Sequence, residues 1–452
     1  METVSETKPT PQAFLAVAQA FRSGADDPRR FLERCLAALD LWEPRIGAFV
    51  TLDVAGARAA ADRASERWRN GRPLSSIDGM PVGIKDVIET VDMPTQFGSP
   101  LFTGWHSHKD AASVAALRAA GAVVVGKTVT TEFAMSFPRG TRNPWDTART
   151  PGGSSSGSAA AVAAGIVSAG LGTQVIGSVI RPASFCGIYG FKPTAHALNR
   201  TGSHDPQSQS CTGILAASLA DTWQVAHEIA DRAGGDPGWP GLAGPGALPA
   251  ARKPRRLAML ETAGWADASE EAKAALHAAA GRMADAGVEI LTRRNNAIVD
   301  AIEPDIAQSF DLSMRINDWE MRWFFRTLAE RDSAQLSPHV RGRMEQSAPM
   351  TLAEHRTALL HRDAIRSAYA ELASDCDACI TLSATGAAPI GLQSTGNPQF
   401  AVPASLLGVP AVSLPRLWAE SLPLGLQVVG FADRDADAVA VARWIDELLA
   451  RA

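Results

Sequence analysis

The sequence predicts an α/β protein, and three observations carry the prediction. Helical patterning alternates with short apolar strand-like runs, most plainly over 110–126 and again over 269–291. Hydrophobic residues make up 46% and charged residues 20% of the 452, a balance that excludes a disordered or fibrous chain. A glycine- and proline-rich excursion over 231–256 interrupts the alternation, which resumes beyond it. Length allows two or three domains, but a single continuous sheet also reaches this size.

Taken in order, residues 1–70 read as a helical arm, with Phe14, Val17 and Phe21 on one face and Phe31, Cys35 and Leu36 in the next segment. Asn70-Gly71 and Pro73 break it, and Met80 to Ile88, MPVGIKDVI, reads as a strand with Lys85 inside. Asp110 to Ala120 is patterned as a helix feeding a strand at Ala122 to Gly126. Ser158 to Ala164 is almost all alanine, a helix slim enough to pack closely, and Ile166 to Gly172 is the strand after it. Leu219 to Ala230 is a further helix. After the excursion, strands at Leu257–Leu260 and Val288–Leu291 flank a helix over Ser269–Ala286. Ile302 to Leu372 is helical and carries Met314, Trp319, Met321, Trp323, Phe324 and Phe325, a cluster read as core packing in preference to a substrate-channel lining. A glycine- and proline-punctuated segment, Gly391 to Pro415, precedes a strand at Leu424–Val429 and a closing helix at Ala436–Leu449.

Composition excludes several function classes. The net charge of -5 and the lack of a long Lys/Arg run argue against nucleic acid as a partner. The start, METVSETKPTPQAF, has neither signal-peptide nor transit-peptide character, and no apolar run reads as a membrane span. Cys35, Cys186, Cys211, Cys376 and Cys379 are therefore expected to be reduced thiols in a cytoplasmic protein. Cys376 and Cys379 form a lone CxxC, read as two ordinary buried thiols. The nine histidines show no metal-ligand spacing, so no metal and no cofactor is expected.

The chemistry is expected in Pro151 to Thr194, PGGSSSGSAAAVAAGIVSAGLGTQVIGSVIRPASFCGIYGFKPT. A serine hydroxyl needs a neighbouring base to become a nucleophile. Gly153 to Gly157 fits GxSxG, which would make Ser155 the nucleophile, but the preceding Asp146 to Gly152 is a poor strand for such an elbow. The bland alternative is a loop capping the alanine helix. In a second frame the nucleophile is Ser178, on a loop, GTQVIGS, that aims backbone N–H groups at one point. The base available to it is Lys85. Only seven of the 43 basic residues are lysines, and a lysine in an apolar run can give up its proton where arginine cannot. Burial would have to lower its pKa by roughly three pH units, about 4 kcal/mol.

These pieces resemble the amidase signature family of Ser-Ser-Lys amide hydrolases. The matching stretches are DGMPVGIKD at Asp78–Asp86, GAVVVGKTVTTEFA at Gly121–Ala134, RNPWDTARTPGGSSSGSAAAVAAG at Arg142–Gly165 and GSVIRPASFCGIYGFKPT at Gly177–Thr194. STGNPQFAVPASLLGVPAVSLP at Ser394–Pro415 and LPLGLQVVG at Leu422–Gly430 look like the family's C-terminal part. The resemblance implies one large domain over 1–452, a mixed β-sheet flanked on both sides by helices. In it 71–230 is the catalytic core and 257–452 an α/β continuation with a helical substrate-channel region. It also implies Ser178 as nucleophile, Lys85 as base, Ser154 as a bridging serine on a cis peptide bond, and an oxyanion hole of Val175, Ile176, Gly177 and Ser178 N–H groups. Ser155 would support Lys85 or cap the alanine helix. Water and a small amide are the implied partners, and a homodimer is an assembly the family allows.

The chain departs from the commonest family form, GTDxGGSIR, in having GTQVIGSVIR. Gln174 replaces an aspartate, Ile176 a glycine and Ile180 an arginine, and Arg181 follows one place later. Losing acid and base together leaves no unpaired charge. The QxxGSVIRPA arrangement is similar to a malonamidase-like branch, where the corresponding arginine receives a substrate carboxylate by two parallel hydrogen bonds. Arg181 either does this or pairs with a protein acid or carbonyl. Met135 and Phe137 resemble pocket-lining positions, and Lys127 and Lys192 are expected to make structural hydrogen bonds. The substrate reading is a small, carboxylate-bearing amide. Aryl amides, anilides or carbamates are one alternative, and the ammonia-releasing subunit of an amidotransferase complex is another.

Overall fold

The apolar runs pair into one eleven-stranded mixed sheet in a computed structural model that describes residues 8–451; the expectation for residues 1–7 lies outside them. The N-terminal part comprises α1 (Ala18–Ser23), α2 (Pro28–Ile46), β1 (Phe49–Leu52) and α3 (Val54–Arg69). Then come β2 (Pro81–Lys85), α4 (Ala112–Ala119), β3 (Val123–Thr128), α5 (Ser156–Ala163), β4 (Ala169–Gln174) and α6 (Ile180–Cys186). β5 (Tyr189–Lys192), β6 (Cys211–Ala216) and α7 (Leu219–Ala233) complete this half. Beyond the excursion are β7 (Arg256–Met259), α8 (Glu270–Asp285), β8 (Glu289–Leu291), α9 (Ala297–Ala307), α10 (Ser309–Asp332), α11 (Pro338–Ser347) and α12 (Leu352–Glu371). The chain closes with β9 (Ala378–Leu382), α13 (Val402–Leu407), β10 (Ala411–Ala419), β11 (Leu422–Val429) and α14 (Asp435–Leu449).

Strand order is β1-β3-β2-β4-β6-β5-β10-β11-β9-β7-β8. β2 lies parallel between β3 and β4, β7 lies parallel between β9 and β8, and the intervening pairs are antiparallel. Successive side chains of β3 face opposite ways: Val124 joins a core with Leu117 and Trp223, while Val123 and Val125 join another with Leu36 and Ala160. Helices therefore cover both faces, and one continuous sheet makes this a single large α/β domain.

One expectation needs correction. The helical arm contains β1, which pairs antiparallel with β3 at the sheet edge, Phe49 against Thr128 and Leu52 against Gly126. Four residues, FVTL, between two helices are too short to show a period of two. The region over Ile302–Leu372 is helical as expected, in four helices, α9 to α12; Pro338 starts α11 behind its Ser337 cap, and a Thr351–Glu354 capping box starts α12.

Candidate active site

Parallel pairing of β2 and β4 sets Val82 against Ala169 and Ile84 against Leu171, so the C-terminal ends of both strands open at one place. Crevices at the carboxyl ends of parallel strands are where α/β sheets bind ligands. β2 ends at Lys85, which is fully buried. Its Nζ lies 2.7 Å from Ser154 Oγ and donates to Thr173 Oγ1 at 2.9 Å and the Thr173 carbonyl at 3.4 Å. No carboxylate is within 4 Å of it among the described residues. Burial pushes the Lys85 amine down to about 7, and the more distant Asp205 charge pulls the other way. A neutral amine has two hydrogens and one lone pair. With both hydrogens directed at Thr173, the lone pair is left for the Ser154 hydroxyl.

Ser154 precedes α5, and the Gly153–Ser154 peptide bond is cis. The Ser155 N–H donates to the Ser178 carbonyl at 3.3 Å, which ties the serine run to the loop after β4. Ser154 and half-buried Ser178 both line one cavity of about 310 Å³. Ser155 sits at the N-cap position of α5 but makes no side-chain cap; its hydroxyl donates to the Thr173 carbonyl at 3.4 Å. It thus shares Thr173 with Lys85, and the capping role is set aside. No strand precedes the serine run, which removes the structural basis for a GxSxG elbow at Ser155.

The loop Val175–Ser178 is held from outside, through its carbonyls. Gln209 Nε2 donates to the Val175 carbonyl at 2.9 Å, and Ser405 Oγ on α13 donates to the Ile176 carbonyl at 3.2 Å. Gln174 links both ends: Oε1 accepts from Val179 N at 2.9 Å and Ile180 N at 3.0 Å, and Nε2 donates to Ser405 Oγ at 3.1 Å. A neutral amide suits this place because it accepts and donates at once. The N–H groups of Val175, Ile176, Gly177 and Ser178 have no protein acceptor among the described residues. All four residues line the cavity, which leaves these donors available there.

Arg181 lines the cavity from the first turn of α6. Its Nη2 donates to the Gly153 carbonyl at 2.7 Å and to Thr395 Oγ1 at 2.9 Å. Among the described residues no carboxylate pairs with it, and its Nε is buried without a partner. Burial pushes the guanidinium down to about 10, so it stays charged at neutral pH. Of the two readings of Arg181, pairing with a protein acid is excluded, while the carbonyl contact coexists with access to the cavity.

Met135 lines the cavity; Phe137 does not, and lies instead under the Arg139 guanidinium at 5.2 Å. The aromatic and methionine cluster divides. Met321 and Phe325 are buried in the main core, as expected, and with Met314 and Phe310 they also form the apolar wall of the cavity, whereas Trp323 is 71% exposed. Asn317 Oδ1 and Gln207 Oε1, also from lining residues, are buried without partners. Lys127 donates to the carbonyls of Ile88 and Pro94, and Lys192 to those of Pro193 and Val409. All five cysteines are buried free thiols. No described helix is long and apolar enough to cross a membrane, and no described cluster of His, Cys, Asp or Glu is arranged to hold a metal.

Thr173, Thr395, Gln209 and Ser405 were not anticipated as functional. Thr173 lay in the singled-out GTQVIGS loop and Thr395 and Ser405 in the motif-like Ser394–Pro415 stretch, whereas Gln209 carried no signal.

The amidase family model matches residues 30–439. Two relatives are named as the A subunit of a glutamyl-tRNA(Gln) amidotransferase. That of Chloroflexus aggregans is 35% identical over 443 residues, 88% of either chain, and that of Roseiflexus castenholzii is 33% identical over 94% of this chain and 93% of its own. Among solved structures, an amidase superposes with a TM-score of 0.84 at 26% identity, covering 96% of this chain and 99% of its own. The 6-aminohexanoate cyclic dimer hydrolase, at 23% identity and a TM-score of 0.80 over 97% of both chains, shares the fold. With sheet, motifs and these likenesses in agreement, the chain belongs to the amidase family and is an amide-hydrolysing enzyme.

Proposed function

We propose that this protein hydrolyses small amides that carry a carboxylate, by a Ser178–Ser154–Lys85 triad and an acyl-enzyme. The observation that carries the triad is the buried Lys85, without a carboxylate partner among the described residues and 2.7 Å from Ser154 Oγ. Ser178 Oγ attacks the amide carbonyl carbon as its proton passes to Ser154 Oγ and the Ser154 proton passes to Lys85 Nζ. The oxyanion forms against the N–H groups of Val175 to Ser178. The C–N bond then breaks as Ser154 gives a proton to the leaving nitrogen and recovers one from Lys85. Water enters, loses its proton along the same chain, and releases the acid with Ser178 restored. Arg181, charged and without a carboxylate partner among the described residues, supports the choice of a substrate acid group, since a buried guanidinium binds a carboxylate through charge-assisted hydrogen bonds.

A second reading follows from the relatives named for amidotransferases, similar over 88% of this chain: the same serines would release ammonia for a partner. Purified protein is assayed on carboxylated, neutral and aromatic amides, for wild type, Ser178→Ala and Arg181→Ala. Hydrolysis by the isolated chain, lost in Ser178→Ala, is expected. Arg181→Ala should lose about tenfold or more on carboxylated amides relative to neutral ones, the worth of one charge-assisted contact. An equal loss on all amides would remove the carboxylate role. Inactivity of the isolated chain on every amide would favour the partner-dependent reading. Preference for aromatic amides would place recognition on the Met314–Phe325 wall.

A further inference from the structure

A second cavity, of about 500 Å³, lies outside the catalytic one, between α12, α13 and the turn before α14. Its walls are largely apolar, including Tyr369, Phe431, Leu407 and Val409, and its charged lining is Arg362, Arg366, Arg434 and Asp433. Arg434 is paired with Asp437, and among the described residues the one carboxylate within 4 Å of Arg362 is the exposed Asp363, at 3.5 Å. Arg366 has no carboxylate within 4 Å among the described residues; its Nε donates to the Leu406 carbonyl at 2.8 Å. Burial, and secondarily the Arg362 charge, push its pKa down to about 10. Two guanidinium groups thus face an apolar chamber in which Asp433 is the one carboxylate among the lining residues; Asp363 touches Arg362 from outside, and Glu320 accepts from Ser208 N beside it.

Both arginines also touch the segments that hold the oxyanion loop. Leu406, the acceptor for Arg366, follows Ser405, which fastens the Ile176 carbonyl. Arg362 Nη1 donates to Ser208 Oγ at 2.9 Å, next to Gln209, which fastens the Val175 carbonyl. We propose that this cavity binds a small carboxylate carried on an apolar body, and that its occupation steadies the loop Val175–Ser178 and raises turnover. The carboxylate bridges Arg362 and Arg366, relieves their repulsion and fixes α13 and the Ser208–Gln209 segment together. An apolar body fits the remaining wall, and the volume is in the usual range of ligand pockets.

The binding half is independent of the function proposed above; the coupling half rests on it. Calorimetry with 3-phenylpropionate, using Arg181→Gln to remove competition at the catalytic cavity, tests binding without substrate. A single equivalent should bind, about tenfold or more weaker in Arg366→Gln and in Ala373→Phe, which fills the chamber. Neutral 3-phenylpropanol and inorganic phosphate should not bind there. Binding that disappears in Arg181→Gln, or is unchanged in Ala373→Phe, would overturn the site. On saturating neutral amide, 3-phenylpropionate should raise wild-type kcat severalfold and leave the kcat of Ala373→Phe, whose basal rate stays normal, unchanged. Binding as described with kcat unmoved would overturn the coupling while leaving the site.

Discussion

Replacing Lys85 with methionine should abolish hydrolysis and yet stabilise the protein at neutral pH. Its amine is fully buried, its pKa pushed by burial from 10.5 to about 7. At 1.36 kcal/mol per pH unit that gap is about 5 kcal/mol, the cost of holding this group where its charged form is disfavoured. The cost is present in full below pH 7, where both states hold the proton. Between about pH 7 and 10.5 the unfolded chain binds a proton that the folded one does not, so wild-type stability rises with pH and the cost vanishes near 10.5. Methionine fills similar space without charge and gives up the contacts with Ser154 and Thr173, about 1 kcal/mol each. The variant should therefore gain about 3 kcal/mol at pH 7, cross the wild type near about pH 9, and be the less stable above it. Urea unfolding of both proteins across this range reads the difference, in which other titrating groups cancel. Parallel stability curves, or a less stable variant at pH 7, would refute a depressed Lys85.

Two further outcomes follow from the same geometry. Gln174→Ala releases Val179 N, Ile180 N and Ser405 at once, so kcat should fall about a hundredfold with KM little changed, as for loss of an oxyanion donor; kcat and KM falling together would count against loop positioning. Asp205 is the one charged group that raises the Lys85 pKa, so Asp205→Asn should move the acid limb of kcat/KM to lower pH; an unmoved or upward-shifted limb would contradict that electrostatic link.

The legible parts of the sequence were those with a local signature. MPVGIKDVI announces a buried strand, and its lysine is conspicuous because lysine is scarce here. Ser154, Ser178 and Arg181 stood out as polar groups in a small-residue stretch, and the structure gathers all three around one cavity. Illegible were contacts made by ordinary residues brought together from afar. Thr173 is one polar residue in a strand, and nothing near it in sequence shows that Lys85, 88 residues earlier, will donate to it. Gln209 acts through a carbonyl with no motif of its own, and Ser405, although in a motif-like stretch, acts through a carbonyl that the stretch does not reveal. Met314, Met321 and Phe325 show the same helical spacing whether they meet core or cavity, and Phe137 failed because the chain bends at Met135 and Ser136, the last of this run to line the cavity. β1 was hidden because its burial alternates over only four residues.

The central claim, that Ser178 carries the acyl group while Ser154 and Lys85 move its proton, is tested most directly by locating that group. Enzyme quenched in acid during turnover of an activated substrate is digested and its peptides sequenced by mass spectrometry. Trypsin leaves Ser154, Ser155 and Ser178 on one peptide starting at Thr150, so fragment ions must assign the position. The account predicts the acyl mass on Ser178 alone, and its absence in Lys85→Met. Label on Ser155 would restore the elbow frame, and label on Ser154 would make the bridging serine the nucleophile; either contradicts the mechanism.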